Sequence, residues 1–90
     1  MTSDKPVLTV YSRRGCHLCE DLLGELEPLL RGRARIDVQD IDLDTGLRER
    51  YDTLVPVVAA GESELCHYHL DRPAILAWLK STGNENGPAA

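Results

Sequence analysis

The stretch Val7-Leu8-Thr9-Val10-Tyr11-Ser12-Arg13-Arg14-Gly15-Cys16-His17-Leu18-Cys19 decides how the rest of the chain is read. Val7 to Tyr11 is a run of β-branched and aromatic residues around one leucine, with no breaker, which suits a buried strand. Ser12 to Gly15 is a polar loop. From Leu18 onward, Leu22, Leu26 and Leu29 recur at helical spacing, and Leu23 and Leu30 broaden the stripe. The two cysteines therefore open a helix directly behind a strand. Cys16 stands among unpaired first-turn N–H groups at the positive end of the helix dipole, which lowers a thiol pKa from its free value of about 8.5. Arg13, Arg14 and a protonated His17 add to that effect, while Glu20 and Asp21 oppose it. Cys19, one turn further in and beside the apolar face, is expected to be the less exposed sulfur. Three cysteines placed at random give a C-x-x-C in about 7% of chains this long, so the strand, loop and helix around the motif carry the reading.

Further along, Pro28 removes a helical hydrogen bond and clashes with the carbonyl of Gly24, which predicts a kink or an early end near Glu27 and a stop around Leu30. Ala34, Ile36 and Val38 alternate with Arg35, Asp37 and Gln39, the pattern of a half-buried strand ending near Asp40. Asp44 can cap a short helix running through Asp52, with Leu47 and Tyr51 on its inner face. Leu54 to Ala60 reads as a buried strand, which Pro56, having no N–H to donate, must begin. Gly61-Glu62 turns the chain into a hairpin partner, Ser63 to Tyr68. Asp71 is the next N-cap, Pro73 suits a first turn, and Ile75, Leu76, Trp78 and Leu79 form an apolar face closing before Gly83.

The order is β-α-β-α-β-β-α, an α/β domain over residues 1–80 with a disordered tail over 81–90. Two early βαβ units predict parallel strands with right-handed crossovers, and the last two strands form an antiparallel hairpin. The result is a four-stranded mixed sheet with helices on both faces. One sheet edge then gathers the end of strand one, the start of strand three and the end of strand four. That edge brings the C-x-x-C, Pro56 and His67 to His69 together.

With 90 residues and 42% hydrophobic content, the chain can bury one core without disulfide staples. A net charge of −5 repels nucleic-acid phosphates. Neither an export signal nor eighteen consecutive apolar residues occurs, so a soluble cytoplasmic protein with reduced thiols and no membrane contact is expected. Cys66-His67-Tyr68-His69 adds a third thiol and two imidazoles near the same edge. Adjacent strand residues point to opposite faces, so Cys66 and His67 cannot both turn inward, and no metal site is expected. Cys66 is read as a small core residue, with His67 or His69 lining the substrate groove. Trp78 and the three tyrosines are read as packing residues, and Arg31, Arg33 and Arg35 as a solvated turn.

Val10-Tyr11-Ser12 running into Gly15-Cys16-His17-Leu18-Cys19, then Asp40-Ile41-Asp42, then Val55-Pro56-Val57-Val58, resembles the glutaredoxin branch of the thioredoxin-like superfamily. The likeness is closest to short bacterial glutaredoxin-like proteins and covers roughly residues 5 to 80. It implies a thioredoxin-like fold and a thiol-disulfide oxidoreductase in which Cys16 attacks and Cys19 resolves. It also implies a cis bond at Pro56, with Val55 and Pro56 forming a ledge for an extended substrate. Asp71 matches the family's acidic helix-start position, and Arg13 or Arg14 its basic loop residue. Tyr11, His17 and His69 complete the candidate substrate-binding residues.

Two features depart from the family pattern. His17-Leu18 stands where Pro-Tyr or Pro-Phe is usual, and Tyr68-His69-Leu70 stands where a Gly-Gly pair receives glutathione. The expected partners are protein or small-molecule disulfides, with glutathione as a candidate co-substrate, no resident cofactor, and a monomer. The alternatives are a metal or iron-sulfur binding module and a catalytically silent interaction domain of the same fold.

Overall fold

The computed structural model describes residues 5–83. Along them run β1 (Val7–Ser12), α1 (His17–Leu30), β2 (Arg35–Asp40), a 3-10 turn (Ile41–Leu43), α2 (Thr45–Tyr51), β3 (Val57–Ala60), β4 (Ser63–His67) and α3 (Arg72–Gly83). The strands pair in the order β2-β1-β3-β4, which with the flanking helices is the thioredoxin-like architecture expected. β1 and β2 are parallel, with Val10 opposite Val38.

β3 departs from the expected direction. It runs antiparallel to β1, with Tyr11 opposite Val57, so the second βαβ unit is not a parallel crossover. The reason is length. The seven residues of α2 span about 10 Å at 1.5 Å per residue, roughly half the length of a six-residue strand. Such a helix cannot return the chain to the far end of the sheet. β3 therefore starts at the end where β2 finishes, and β4 pairs back antiparallel with His67 opposite Val57. This arrangement still gathers the end of β1, the start of β3 and the end of β4 at one edge.

Because side chains alternate along a strand, β1 serves two apolar clusters. Leu8 and Val10, with Val58 of β3, bury against Leu22, Leu26 and Leu30 of α1 and against Ile75 and Leu79 of α3. On the opposite face Tyr11 packs with Ile41, Tyr51 and Val57, alongside Leu47, Leu54 and Val55. α1 continues past Glu27 to Leu30 despite Pro28. Leu30 is fully buried and anchors the last turn, while Gly24 and Pro28 are exposed, so water reaches the carbonyl that lost its partner.

Three sequence expectations need correction in detail. Val38 is 50% exposed because β2 is an edge strand. Leu76 is exposed, and the buried stripe of α3 is Ile75 and Leu79, with Trp78 at its margin. Ser81 to Gly83 belong to α3 rather than to a tail, and the Ser81 hydroxyl donates to the Trp78 carbonyl at 2.9 Å. The rest of the expected tail, 84–90, lies outside the described residues. Among the described residues no helix is long and apolar enough to cross a membrane.

The loops on the gathered edge are tied by Arg13. Its Nε and Nη2 donate to the two carboxylate oxygens of Asp42, each at 3.0 Å. The same guanidinium donates to the Asp52 carbonyl at 3.2 Å and the Asp52 carboxylate at 3.0 Å. One side chain thus joins the loop after β1, the 3-10 turn and the C-cap of α2. The hydrogen bonds from Arg13 hold the Asp42 carboxyl below its ordinary value of 3.8. Asp44 caps α2 as expected, its Oδ1 accepting the Leu47 N–H at 3.1 Å.

Two stability outcomes follow from this packing. Leu26→Ala, which empties a fully buried position, should lower the unfolding free energy by about 2 to 5 kcal/mol in urea titrations. A folded-state pKa below the unfolded one means that Asp42 contributes stability above about pH 4, which is lost as pH falls through the folded value. Arg13→Gln should therefore be less stable than the parent at pH 7, and should lose less of its urea midpoint between about pH 5 and pH 2. An unchanged acid dependence would mean that the pair does not couple to folding.

Candidate redox site

Cys16 is the N-cap of α1. Its backbone is extended (φ −96°, ψ 107°), and its Sγ accepts the Cys19 N–H at 3.1 Å. The Cys16 carbonyl accepts the Glu20 N–H at 3.1 Å, closing the first turn. The sulfur thus takes the place that a serine or aspartate oxygen usually fills, and its partner is a donor at the positive end of the helix. Gly15, at φ 74°, makes the reversal from loop to cap, a left-handed conformation that favours glycine.

Cys16 and Cys19 are joined as a disulfide, with their Cα atoms 5.2 Å apart, inside the usual range for such a bond. Cys16 is half-buried and Cys19 is 3% exposed. This is the inequality expected from their places on the helix.

The Val55-Pro56 bond is cis, as the resemblance implied, and Pro56 is buried at the head of β3. Tyr68 fastens this segment from the far side. Its N–H donates to the Pro56 carbonyl at 2.8 Å, and its hydroxyl donates to the Thr53 carbonyl at 2.8 Å. Tyr68 does so from φ 65°, a left-handed conformation uncommon for a bulky residue.

Between α1 and the chain after β4 lies a groove of 190 Å³. Leu18, Leu22 and Leu70 give it an apolar strip within a mixed lining, Asp21 and Glu25 line its α1 side, and Tyr68 and His69 close the other. Leu18 and Tyr68 are 40% and 38% exposed. Sequence reasoning placed His69 here and missed Tyr68 as a groove residue. The helical spacing of Leu18, Leu22 and Glu25 carried a signal for one wall. The family resemblance marked Tyr68-His69-Leu70 as the other wall, but no local pattern singled out Tyr68 within it.

The remaining candidates have other surroundings. Tyr11 stacks on Tyr51, ring centroids 4.5 Å apart. It belongs to the second apolar cluster, and burial, then the neighbouring Tyr51, push its hydroxyl above the ordinary 10.0. Arg13 is occupied by Asp42 and Asp52, whereas Arg14 and His17 are exposed beside Cys16. Asp71 caps α3, its Oδ1 accepting the Ala74 N–H at 3.1 Å.

Cys66 and His67 diverge as strand alternation requires. Cys66 lies opposite Val58 and packs toward the first cluster, where burial pushes its thiol above the ordinary 9.0. His67 lies opposite Val57 on the other face, with Nδ1 2.6 Å from a Glu64 carboxylate oxygen. A register shift in the β3–β4 pairing, after which Glu64 rather than Leu65 faces Ala59, sets Glu64 close to His67. His67 is thus engaged along its own strand and does not line the groove. Among the described residues, no three or more His, Cys, Asp or Glu side chains gather in a way that could hold a metal ion.

Residues 7–80 match the family described as glutaredoxin-like domain (DUF836). A protein from Nitrosomonas europaea, solved by NMR in solution, is 38% identical over 87% of this chain and 95% of its own, with a TM-score of 0.74. An X-ray structure of a protein from X. campestris is 36% identical over 83% of this chain and 97% of its own, with a TM-score of 0.62. The germline-specific thioredoxin Deadhead of Drosophila melanogaster, 18% identical, covers 89% of this chain and 83% of its own at a TM-score of 0.52, a likeness of fold. No match was found among curated proteins. A family profile spanning residues 7–80, over a cis-proline ledge and a cysteine pair at a helix start, places this chain in the glutaredoxin-like family of the thioredoxin-like superfamily.

Proposed function

We propose that the protein is a dithiol-disulfide oxidoreductase in which Cys16 is the nucleophile and Cys19 the resolving thiol. The observation that carries this reading is the half-buried Sγ of Cys16 at the N-cap of α1, receiving the Cys19 N–H while the buried Cys19 sulfur lies within bonding reach. A donor and a helix dipole aimed at one sulfur favour its thiolate, the species that attacks.

In the reduced protein the Cys16 thiolate attacks one sulfur of a substrate disulfide. That S–S bond breaks, the far sulfur leaves as a thiolate, and a mixed disulfide forms on Cys16. Cys19 loses its proton to water or to the departing thiolate and attacks Cys16. The second substrate sulfur is then released, and the Cys16–Cys19 disulfide remains. Two electrons have passed to the substrate, and an external dithiol, or two monothiols such as glutathione, returns them. Burial of Cys19 keeps the resolving sulfur away from other disulfides until the mixed species forms. The ledge of Val55 and Pro56 supports an extended substrate chain, because proline presents no N–H to compete for its carbonyls. The protein acts on thiol and disulfide substrates as a monomer in the reducing cytoplasm, where such a pair is kept in its dithiol form.

Equilibration against glutathione redox buffers, followed by alkylation and mass spectrometry, tests the assignment. A reversible Cys16–Cys19 disulfide is expected, and Cys19→Ser should accumulate glutathione or a substrate peptide on Cys16 alone. Thiols that stay reduced across the whole series would overturn the reading. His17→Ala removes an imidazole that, in its protonated form, supports the thiolate by charge. It should make the pair more reducing by about 10 to 30 mV, where 30 mV is 1.4 kcal/mol for two electrons. A potential equal to the parent's would leave His17 without a tuning role.

A further inference from the structure

We infer that the substrate is a polypeptide disulfide that lays an apolar side chain, flanked by a basic residue, into the groove between Leu18 and Tyr68. This assignment rests on the oxidoreductase reading above. The groove begins within one helical turn of the reacting pair, since Leu18, which lines it, lies in the first turn of α1 and Cys16 is the N-cap of that helix. The exposed Leu18 and Tyr68 side chains gain from being covered by an apolar side chain, and one turn of helix is a short enough span for the same substrate's disulfide to reach Cys16.

Charge selects what accompanies that side chain. Asp21 and Glu25 line the groove, and Arg72 comes only to 3.8 Å of Glu25, beyond hydrogen-bond reach. Asp21 has no salt-bridge partner among the described residues. In the loop before Cys16 the guanidinium of Arg13 is already occupied by Asp42 and Asp52, and the exposed Arg14 is not part of the groove lining. A substrate carboxylate entering the groove meets carboxylates, whereas a lysine or arginine meets complementary charge. Glutathione, with two carboxylates on a small polar frame, suits neither the apolar strip nor the rim.

The wall is set before the substrate arrives. Tyr68 holds its left-handed backbone through two hydrogen bonds, to the Pro56 and Thr53 carbonyls. Those bonds tie the wall to the ledge, so that groove and ledge present one surface. Strain maintained by surrounding bonds is a mark of functional positions, and a wall already ordered lowers the cost of ordering on binding.

Four mixed disulfides with uncharged 2-mercaptoethanol test the inference on the reduced full chain: the capped peptides Cys-Leu-Lys, Cys-Leu-Glu and Cys-Ser-Lys, and glutathione. Second-order rate constants for their reduction are the readout. Cys-Leu-Lys should react about three- to tenfold faster than Cys-Leu-Glu and faster than both Cys-Ser-Lys and glutathione. The Lys-to-Glu ratio should fall toward one in about 1 M salt, where the screening length is about 3 Å. It should also fall toward one in the Asp21→Asn, Glu25→Gln double variant. Glu49→Gln, on α2 and outside the groove, should keep the parent's ratio. Equal rates for the Lys and Glu peptides at low salt, or glutathione as the fastest substrate, overturn the groove assignment and leave the oxidoreductase reading standing. If none of the four is reduced, both fall.

Discussion

Burial of Leu22, Leu26 and Leu30 against Leu8 and Val10 sets where α1 lies on the sheet, and so where the helix must begin. A helix docked along one stripe has no freedom to slide. Its first free N–H groups fall at the end of the loop that leaves β1, and Cys16 is the residue that meets them. The chemistry of the site is thus a by-product of packing: core contacts about two to four turns away aim an amide donor and a helix dipole at one sulfur. The same docking buries Cys19 at the margin of the core and leaves Leu18 and His17 facing water.

The second constraint is the brevity of α2. A helix of seven residues cannot cross the sheet, so β3 reverses, and its first residues lie beside the last residues of β1. That reversal brings the Val55-Pro56 segment to the same edge as the dithiol. Two residues hold it there. Arg13 reaches Asp52 and Asp42, while Tyr68 reaches Thr53 and Pro56. Each contact spans a long stretch of sequence, so the edge is rigid only once the whole domain has folded. The half-exposed carboxylates on Arg13 contribute modestly one by one, but the forked geometry gives the network direction as well as energy.

Much of this was legible from residues alone because it depends on local periodicity. The unbroken β-branched and aromatic run of Val7 to Tyr11, the leucine stripe of α1, the Asp44 and Asp71 caps and the placement of Pro56 at a strand start each follow from rules that act within a few residues. The unequal exposure of Cys16 and Cys19 followed from the same helical spacing. Where several local rules competed, the reading was less complete. Pro28 predicted a kink or an early end near Glu27, yet burial of Leu30 carries the helix to the stop expected around that residue. Val38 kept the alternation of a half-buried strand, yet it is exposed because β2 lies at the edge.

The sequence by itself determined the order and kind of the elements, the dithiol at a helix start and the proline that begins β3, because backbone preference and side-chain period act over short distances. Only the tertiary structure decided the direction of β3, the commitment of Arg13 to Asp42 and Asp52, and the placement of Tyr68 as a wall tied to the proline ledge. These contacts join residues separated by 12 to 39 positions. No local pattern encodes them, since each depends on where two distant segments are brought by the packing of everything between them.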